Sequence, residues 1–277
     1  YVRAEAQAGR MGATLMAVVA EGKRERIYLA PTTEHVGAAF APTPPDAPTA
    51  AIPPEALGFR VQGYGMNHWA DLFTNRQLVA LTTFSDLVAE ARERVLADAL
   101  TTGMDEGERL EAGGTGAAAY ADAVATYLGF VVSKTVARNN TMCTWETGMD
   151  RLRGAFQRQA LPMTWDHAEA NPLTLSGGGF LAVLQSEIEV LELLSSTSPG
   201  TALQRSAIDG SRSHSLISTD PPYYDNIGYS DLSDFFYVWL RLALHGVHPS
   251  LLATMLVPKA EELVANPYRH DGKDGAR

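Results

Sequence analysis

Residues Asp220-Pro221-Pro222-Tyr223 follow the short apolar run 214–219 (His-Ser-Leu-Ile-Ser-Thr) and precede a strongly aromatic segment with helical spacing. The tetrapeptide is therefore predicted to lie at a turn from a strand to a helix. Ligands of α/β sheets bind beyond the carboxyl ends of strands, and a carboxylate followed by two prolines is a rigid acceptor group at such a turn. The stretch thus predicts the α/β fold class and a reactive site at the edge of the sheet.

Methyl transfer to an exocyclic amino nitrogen is the chemistry that suits this turn. The lone pair of such a nitrogen is delocalised into the ring, so attack on a sulfonium methyl group requires acceptors that hold the N–H hydrogens. The Asp220 carboxylate can supply one acceptor and the Pro221 carbonyl oxygen another, while the fixed φ of Pro221 and Pro222, near about −65°, keeps both in place. Tyr223 offers a flat face to a base removed from a duplex, where stacking contributes about 1–3 kcal/mol.

Three further side chains, Tyr224, Asn226 and Tyr229, are predicted to contact the substrate because they cluster beside this carboxylate. Asp-Pro-Pro is also an ordinary turn former, which would need no substrate. The polar and aromatic cluster has no use in a purely structural turn, and it therefore favours the functional interpretation.

Composition indicates a globular protein without a membrane span. The 277 residues are 45% hydrophobic and 19% charged, and no apolar stretch approaches the roughly 18 residues that a span requires. The single cysteine, Cys143, excludes an internal disulfide and a thiolate metal cluster, so we expect a cytoplasmic protein in which Cys143 is a small buried side chain. His245 and His248 flank a helix exit and are predicted to be solvated, so no metal site is expected.

The net charge of −10 disfavours this chain as the main clamp for nucleic acid, because phosphate binding requires a basic surface. The basic segments 23–26 and 269–277 are short and contain acids. We interpret the first as a hairpin tip and the second as a frayed end.

Two of the four predicted parts of the chain precede the helical region. Residues 1–41 are expected to contain a β-hairpin, with strands over 13–20 and 26–30. Residues 42–66 are rich in proline and alanine and are expected to form an extended, poorly packed linker.

The other two parts are a mainly helical region, 67–200, and the part that carries the motif, 201–277, with strand candidates at 202–208 and 214–218. Apolar residues at three- and four-residue steps predict helices over these ranges: 76–100, 115–137, 180–194 and 230–244.

Several polar residues are predicted to have structural roles. Gly113-Gly114-Thr115-Gly116 resembles a phosphate-binding loop, but the charged segment before it is not a strand, and Thr115 is instead predicted to be a helix N-cap. Asp231 and Asp234 are expected to complement the helix dipole. A further group is expected to lie on the surface: Lys259, Glu261 and Glu262.

The segment Thr219–Arg241 closely resembles a bacterial family described as adenine-specific DNA methylases containing a zinc ribbon. Four other segments are also similar to that family: Leu72–Gln77, Arg158–Trp165, Ala168–Pro172 and Pro258–Glu262. The resemblance implies an S-adenosylmethionine-dependent amino-methyltransferase that acts on DNA, with the catalytic motif at Asp220, Pro221, Pro222 and Tyr223. The fold it implies is a partial Rossmann-like sheet with a large helical insertion.

In that family, a glycine-rich cofactor loop and a zinc ribbon precede the matching part, and neither occurs in this sequence. The chain begins at Tyr1 without a methionine, so we expect it to follow the ribbon, with zinc bound only there and closing strands after Arg277. The chain alone is expected to bind S-adenosylmethionine weakly or not at all.

Alternatives remain open at this point. The resemblance alone favours adenine N6 over cytosine N4. A different class of function is a non-catalytic scaffold or partner-binding module that keeps the turn without a cofactor site. A third alternative is amino-methyl transfer to RNA or to a protein amide, since the same acceptors serve any planar amino group.

Overall fold

The computed structural model describes residues 1–175, 177–194, 216, 218–220, 224, 226–269 and 272. In these ranges the fold combines α-helices with two small antiparallel sheets, each of two strands. The α-helices are α1 Val2–Gln7, α2 Thr33–Ala38, α3 Asn75–Thr101, α4 Ala117–Val136, α5 Phe180–Leu193 and α6 Tyr229–Leu244. The strands are β1 Val18–Glu21, β2 Arg26–Leu29, β3 Thr144–Glu146 and β4 Arg151–Arg153.

The predicted helices and the N-terminal hairpin are confirmed, with shifted boundaries. β1 pairs with β2 in the register Val18 to Leu29, so the first strand is shorter than predicted and begins five residues later. The mainly helical region also contains the β3–β4 hairpin, which the periodicity did not indicate.

The predicted Rossmann-like sheet is not found among the described residues. Its strand candidate 202–208 lies outside the described residues, as does the run 214–218 except for Leu216 and Ser218, neither of which is in a strand. Among the described strands the pairing is antiparallel, so the parallel sheet stays a prediction.

The segment 42–66 is wrongly predicted to be a poorly packed linker. Ile52, Phe59 and Val61 are buried in the main apolar cluster, and the backbone N–H of Ile52 donates to the Asn67 carbonyl at 2.8 Å. Proline limits helix and sheet formation, but it does not prevent an irregular segment from covering apolar surface.

Aromatic residues from α6 and from the segment before α3 form the centre of the core. Phe73 stacks on Phe235 with ring centroids 5.7 Å apart and meets Trp239 edge-on at 5.1 Å. Trp69 approaches Phe235 at 6.3 Å and is fully buried. The helix that follows the Asp-Pro-Pro motif is therefore an integral part of the core.

A buried carboxylate joins α4 to α3 and to the loop between them. Asp122 is fully buried, and its two oxygens lie 2.6 Å from Arg92 Nε and 2.6 Å from Arg109 Nε. Arg109 also donates to the carbonyl oxygen of Gly246, at the end of α6. Burial raises the pKa of Asp122, but the hydrogen bonds from Arg109 and Arg92 outweigh burial and leave the pKa below its usual value.

Replacing Asp122 with Asn should destabilise the protein in a pH-dependent way. Because the folded-state pKa of Asp122 is lowered, its ionised form stabilises the fold above the unfolded-state pKa, and this stabilisation is lost as the pH falls through the folded value. We expect Asp122→Asn to cost about 3 kcal/mol near neutral pH and much less near about pH 3. Urea unfolding at both pH values measures the difference, with Asp98→Asn as an exposed control. An equal cost at both pH values would contradict the assignment.

The packing of α4 against α6 depends on Gly129. A Cβ atom placed there would lie 2.5 Å from Leu244 Cδ1 and 2.6 Å from Leu244 Cγ, and Leu244 is itself buried. The side chain of Leu244 therefore cannot move aside without disturbing its other contacts.

Gly129→Ala is expected to lower the free energy of unfolding by about 1–2 kcal/mol, since overpacking exceeds the gain in helix propensity. Gly37→Ala is the matched control, because Gly37 is also helical and has open space around its Cβ position. The control should be neutral or slightly stabilising. Equal urea midpoints for Gly129→Ala and the unaltered protein would show that the helices separate at no cost.

Candidate functional site

Asp220, the first residue of the predicted catalytic motif, is exposed. Pro221, Pro222 and Tyr223 lie outside the described residues. The two-acceptor arrangement of the Asp220 carboxylate and the Pro221 carbonyl therefore stays a prediction.

The predicted substrate-contacting residues are all accessible to solvent. Tyr224 is 57% exposed and Tyr229 is 38% exposed, and Asn226 is also classed as exposed. Tyr224 has a φ of 33°, which is uncommon for a residue with a side chain and marks a sharp turn of the chain. Tyr224 and Asn226 thus lie at the surface just before α6, and Tyr229 is the first residue of that helix.

The turn is attached by its backbone to the C-terminal part of the described chain. The carbonyl oxygen of Tyr224 accepts a hydrogen bond from the N–H of Ala265 at 2.9 Å. Ala265 is followed by Asn266, which is fully buried. This connection limits the movement of the residues that follow the motif.

Glu262 caps the beginning of α6 from a distance in the sequence. Its carboxylate accepts from the Ser230 N–H at 2.8 Å and from the Ser230 hydroxyl at 2.5 Å. Arg269 Nη1 lies 2.5 Å from the same carboxylate. The N-cap residue Gly228 has no side chain to satisfy these groups, so Glu262 satisfies the free N–H and adds a negative charge at the positive end of the helix dipole.

Asp231 lies in the first turn of α6, as predicted, whereas Asp234 lies beyond it, and both carboxylates are buried and pair with other segments. Asp231 Oδ1 lies 2.6 Å from Arg269 Nη2. Asp234 Oδ2 lies 2.7 Å from Lys259 Nζ, and Asp234 Oδ1 accepts from the Val257 N–H at 2.8 Å. Residues 231 and 234 share the inward stripe of α6, and a carboxylate on that stripe requires a cation.

The surface location predicted for Lys259 and Glu262 is also wrong. The Lys259 side chain is 19% exposed and that of Glu262 is 14% exposed. Each belongs to the ionic network below α6, which consists of Asp231, Asp234, Lys259, Glu262 and Arg269. Glu261 is exposed as predicted. Lys259 and Arg269 are paired with buried carboxylates, so these two cations are not available to bind a phosphate.

Burial raises the pKa of Asp231 and of Asp234 above the usual range of aspartic acid. Arg269 opposes this effect at Asp231, and Lys259 opposes it at Asp234, but neither cation cancels it. The ionised state of each carboxylate therefore depends on its partner.

The glycine-rich segment 113–116 is closed to phosphate by the chain itself. The carbonyl oxygens of Asp105 and Glu106 accept from the N–H groups of Ala117 and Ala118 at 2.8 and 2.9 Å, so they occupy the N-terminus of α4. Gly116 has a φ of 95° and is the N-cap residue. The prediction of Thr115 as a side-chain cap is therefore wrong, whereas the rejection of a phosphate loop is supported.

The surroundings of Cys143, His245 and His248 favour structural roles over catalysis or metal binding. Cys143 is fully buried, as predicted, and burial raises the pKa of its thiol, which makes it a poor nucleophile. His245 is exposed, and His248 Nε2 lies 2.8 Å from the Thr126 hydroxyl. Within the described ranges no group of three or more His, Cys, Asp or Glu side chains is arranged to hold a metal ion.

A pocket lies where two segments noted in the family resemblance meet. Its walls come from Arg76, Gln77, Asn139 and the run 169–172, and its volume is about 290 Å³. Gln77 ends the segment Leu72–Gln77, and the run 169–172 belongs to Ala168–Pro172. Sequence analysis did not assign a site here, because these residues are distant in the chain and only the fold brings them together.

Comparison with known proteins identifies no relative. No family model, no curated protein and no solved structure matches this chain. In the part of the chain that the structure describes, we find no helix with the length and apolarity needed to cross a membrane.

The ionic network below α6 could have been inferred from one sequence signal. Asp231 and Asp234 occur at the helical spacing of Phe235 and Val238, which are buried on the same stripe. Carboxylates on an apolar stripe predict buried cationic partners. The identity of those partners, Lys259 and Arg269, could not be read from spacing.

Lys259→Met should destabilise the protein, and the loss should be smaller in acid. Without Lys259, the buried Asp234 keeps only the Val257 N–H, which we expect to cost about 3 kcal/mol near neutral pH. The raised pKa of Asp234 should rise further, and a carboxyl group with a raised folded-state pKa adds stability as the pH falls through that value. Urea unfolding near about pH 7 and about pH 4.5 tests this. Lys23→Met, in the exposed hairpin tip, is the control, and a pH-independent loss would refute the pairing.

Proposed function

We propose that this chain carries the catalytic motif of an S-adenosylmethionine-dependent amino-methyltransferase that acts on DNA, with adenine N6 as the preferred target. Asp220 and the Pro221 carbonyl hold the amino group, Pro222 stiffens the turn, and Tyr223 stacks on the flipped base. The observation that carries the proposal is the exposure of Asp220 together with that of Tyr224, Asn226 and Tyr229, which follow it closely in the sequence. The resemblance of 219–241 to the DNA methylase family supports it.

The anchoring of this turn also supports a catalytic role. A turn that must orient a planar amino group needs rigid support, since misplacement of reacting groups by about 1 Å can cost about a hundredfold in rate. The support here is α6, which is fixed in the aromatic core and by buried ion pairs, together with the hydrogen bond from Ala265 to Tyr224. The chain that directly follows the motif is thus held at Tyr224 and at α6.

Asp220 is assigned two steps in the proposed reaction. Its carboxylate first accepts a hydrogen bond from the target N–H, which favours a pyramidal nitrogen with a more available lone pair. It then receives the proton that the nitrogen loses after methylation, directly or through water. The second N–H is held by the Pro221 carbonyl oxygen.

The described residues do not fit a cofactor site of the usual glycine-rich type. The segment 113–116 is closed by the carbonyl oxygens of Asp105 and Glu106, and the described strands form no parallel sheet. The same observation favours the second candidate, a non-catalytic scaffold in which the buried network keeps the turn in shape without a substrate.

Asp220→Ala in the natural gene product that contains this chain separates the two candidates. We expect incorporation of tritiated methyl groups from S-adenosylmethionine into unmethylated DNA to fall by at least about a hundredfold, because one preorganised acceptor is lost. Glu55→Ala, which removes an exposed carboxylate elsewhere, should leave incorporation unchanged. Normal incorporation by Asp220→Ala would remove Asp220 from the mechanism. Absence of incorporation by the unaltered protein would favour the scaffold.

A further inference from the structure

The ionic network below α6 carries more negative than positive charge. Three carboxylates face two cations, and the five residues are Asp231, Asp234, Glu262, Lys259 and Arg269. Their side chains lie mostly inside the protein, and the most accessible of them is 23% exposed. A buried charge without a partner is so costly that the group usually takes up or releases a proton instead. One proton would balance this network, and the contacts of each carboxylate indicate where it binds.

Lys259 is fully used by Asp234 and its neighbour. Its Nζ lies 2.7 Å from Asp234 Oδ2 and 3.0 Å from Oδ1, and it donates to the Val257 carbonyl oxygen at 2.9 Å. Asp234 Oδ1 also accepts from the Val257 N–H at 2.8 Å. An ammonium group has no further donor once these contacts are made. Asp234 and Lys259 therefore balance each other, and the excess charge belongs to the other two carboxylates.

Arg269 is shared between these two carboxylates. Its Nη2 lies 2.6 Å from Asp231 Oδ1, and its Nη1 lies 2.5 Å from Glu262 Oε2. Glu262 also accepts from the Ser230 N–H at 2.8 Å and from the Ser230 hydroxyl at 2.5 Å. Hydrogen bonds of this kind stabilise the ionised form of a carboxyl group. Glu262 therefore stays ionised, and Asp231 carries the excess charge.

Asp231 Oδ2 is a buried oxygen without a donor. The residue is 1% exposed, and its Oδ2 has no hydrogen-bond partner in the part of the chain that the structure describes. The oxygen lies against the backbone at the start of α6, since a Cβ atom placed on Gly228 would be 2.9 Å from it. An unpaired buried oxygen costs less when it is neutral than when it is charged. The balancing proton is therefore best placed on Asp231 Oδ2.

The surroundings of Asp231 agree with a bound proton. The charged groups that act on it most strongly lie in the segment after α6: Lys259, Glu262 and Arg269. Burial raises the pKa of Asp231 most, the two cations oppose this rise, and the carboxylate adds to it. On the helices that pack against α6, the buried Asp122 of α4 is paired with Arg92 of α3 and with Arg109, so it does not change this balance.

We propose that Asp231, Glu262 and Arg269 form a proton-binding site that controls how tightly residues 262–269 hold the start of α6. With a proton on Asp231 Oδ2, Arg269 is left to Glu262 and the network is balanced. Loss of the proton adds a buried negative charge beside Glu262 and divides Arg269 between two ionised carboxylates. The contacts of the segment with α6 therefore weaken as the pH rises.

The chain just after the motif responds to this site because it is held by the same segment. Glu262 accepts from the Ser230 N–H in the first turn of α6, and the Ala265 N–H donates to the Tyr224 carbonyl oxygen at 2.9 Å. Ala265 lies between Glu262 and Arg269, so a change in either contact reaches the bond to Tyr224. Protonation of one buried carboxyl group is thereby coupled to the position of an exposed turn.

Asp231→Asn is the direct test, because asparagine has the shape of a protonated aspartic acid and no charge. A carboxyl group with a raised folded-state pKa contributes stability that is full below its unfolded-state pKa and is lost as the pH rises through the folded value. The variant should therefore have nearly the urea midpoint of the unaltered protein near about pH 4. Near about pH 7 its unfolding equilibrium constant should be at least about threefold smaller than that of the unaltered protein.

Two variants control this comparison. Asp98→Asn removes an exposed carboxylate of α3 and changes the net charge equally, and it should shift the midpoint little at either pH. Asp234→Asn makes the same change one turn later on α6. If Asp234→Asn raises the midpoint near about pH 7 and Asp231→Asn does not, the proton binds at the other carboxylate and the proposal is overturned.

Two measurements on the unaltered whole chain need no variant that must fold. In a carbon-13 NMR titration, the midpoint of the Asp231 carboxyl group should lie above the ordinary value of about 3.9. Hydrogen exchange of the Ala265 N–H, relative to its intrinsic rate at each pH, should become at least about threefold faster between about pH 4 and about pH 7. In Asp231→Asn this ratio should stay constant.

A midpoint of Asp231 at or below about 3.9, or a relative exchange rate of Ala265 that does not change with pH, would overturn the proposal. A lower urea midpoint of Asp231→Asn than of the unaltered protein near about pH 7 would do so as well. None of these measurements uses S-adenosylmethionine or DNA. Their outcome is therefore independent of the methyltransferase proposal.

Discussion

The ion pairs that join α6 to the segment after it are the interaction on which the candidate site depends. Asp231 and Asp234 are charged groups on the inward face of a helix that is otherwise apolar, and burial alone would make their ionised forms costly. Arg269 and Lys259 reduce that cost by binding them at 2.6 and 2.7 Å. The two ion pairs therefore join α6 to the segment 257–269 at two points.

The position of α6 also determines how the chain just after the motif is held. Glu262 accepts from the Ser230 N–H in the first turn of α6, and the Ala265 N–H donates to the carbonyl oxygen of Tyr224. The residues that bind the helix are therefore also those that support the turn. A rigid support combined with an exposed Asp220 is the physical basis for proposing catalysis at this edge of the protein. Lys259 and Arg269 are paired with buried carboxylates and are not available to a phosphate. This agrees with the net charge of −10, which disfavours the chain as the main phosphate clamp.

The N-termini of α4 and α3 differ in whether their polar groups have hydrogen-bond partners. At 113–116 the backbone carbonyls of Asp105 and Glu106 accept from the first two N–H groups of α4, so these donors are not available to a phosphate. At the start of α3 the capping box uses the oxygen of Gln77, and the buried side-chain nitrogen has no hydrogen-bond partner among the described residues. Satisfied groups stabilise the fold, whereas an unsatisfied buried group lowers its stability.

The sequence by itself determined the helices α3 to α6, the first hairpin and the burial of Cys143, because each depends on local periodicity or on the chemistry of one residue. It also singled out Asp220 and its aromatic neighbours, since Asp-Pro-Pro-Tyr is a local pattern. Only the tertiary structure decided the roles of Asp231, Asp234, Lys259 and Glu262, the packing of residues 42–66 and the existence of the pocket at Gln77. These depend on contacts between residues far apart in the chain, and neither hydrophobic spacing nor residue type specifies which distant cation meets a buried carboxylate or which amide remains unpaired.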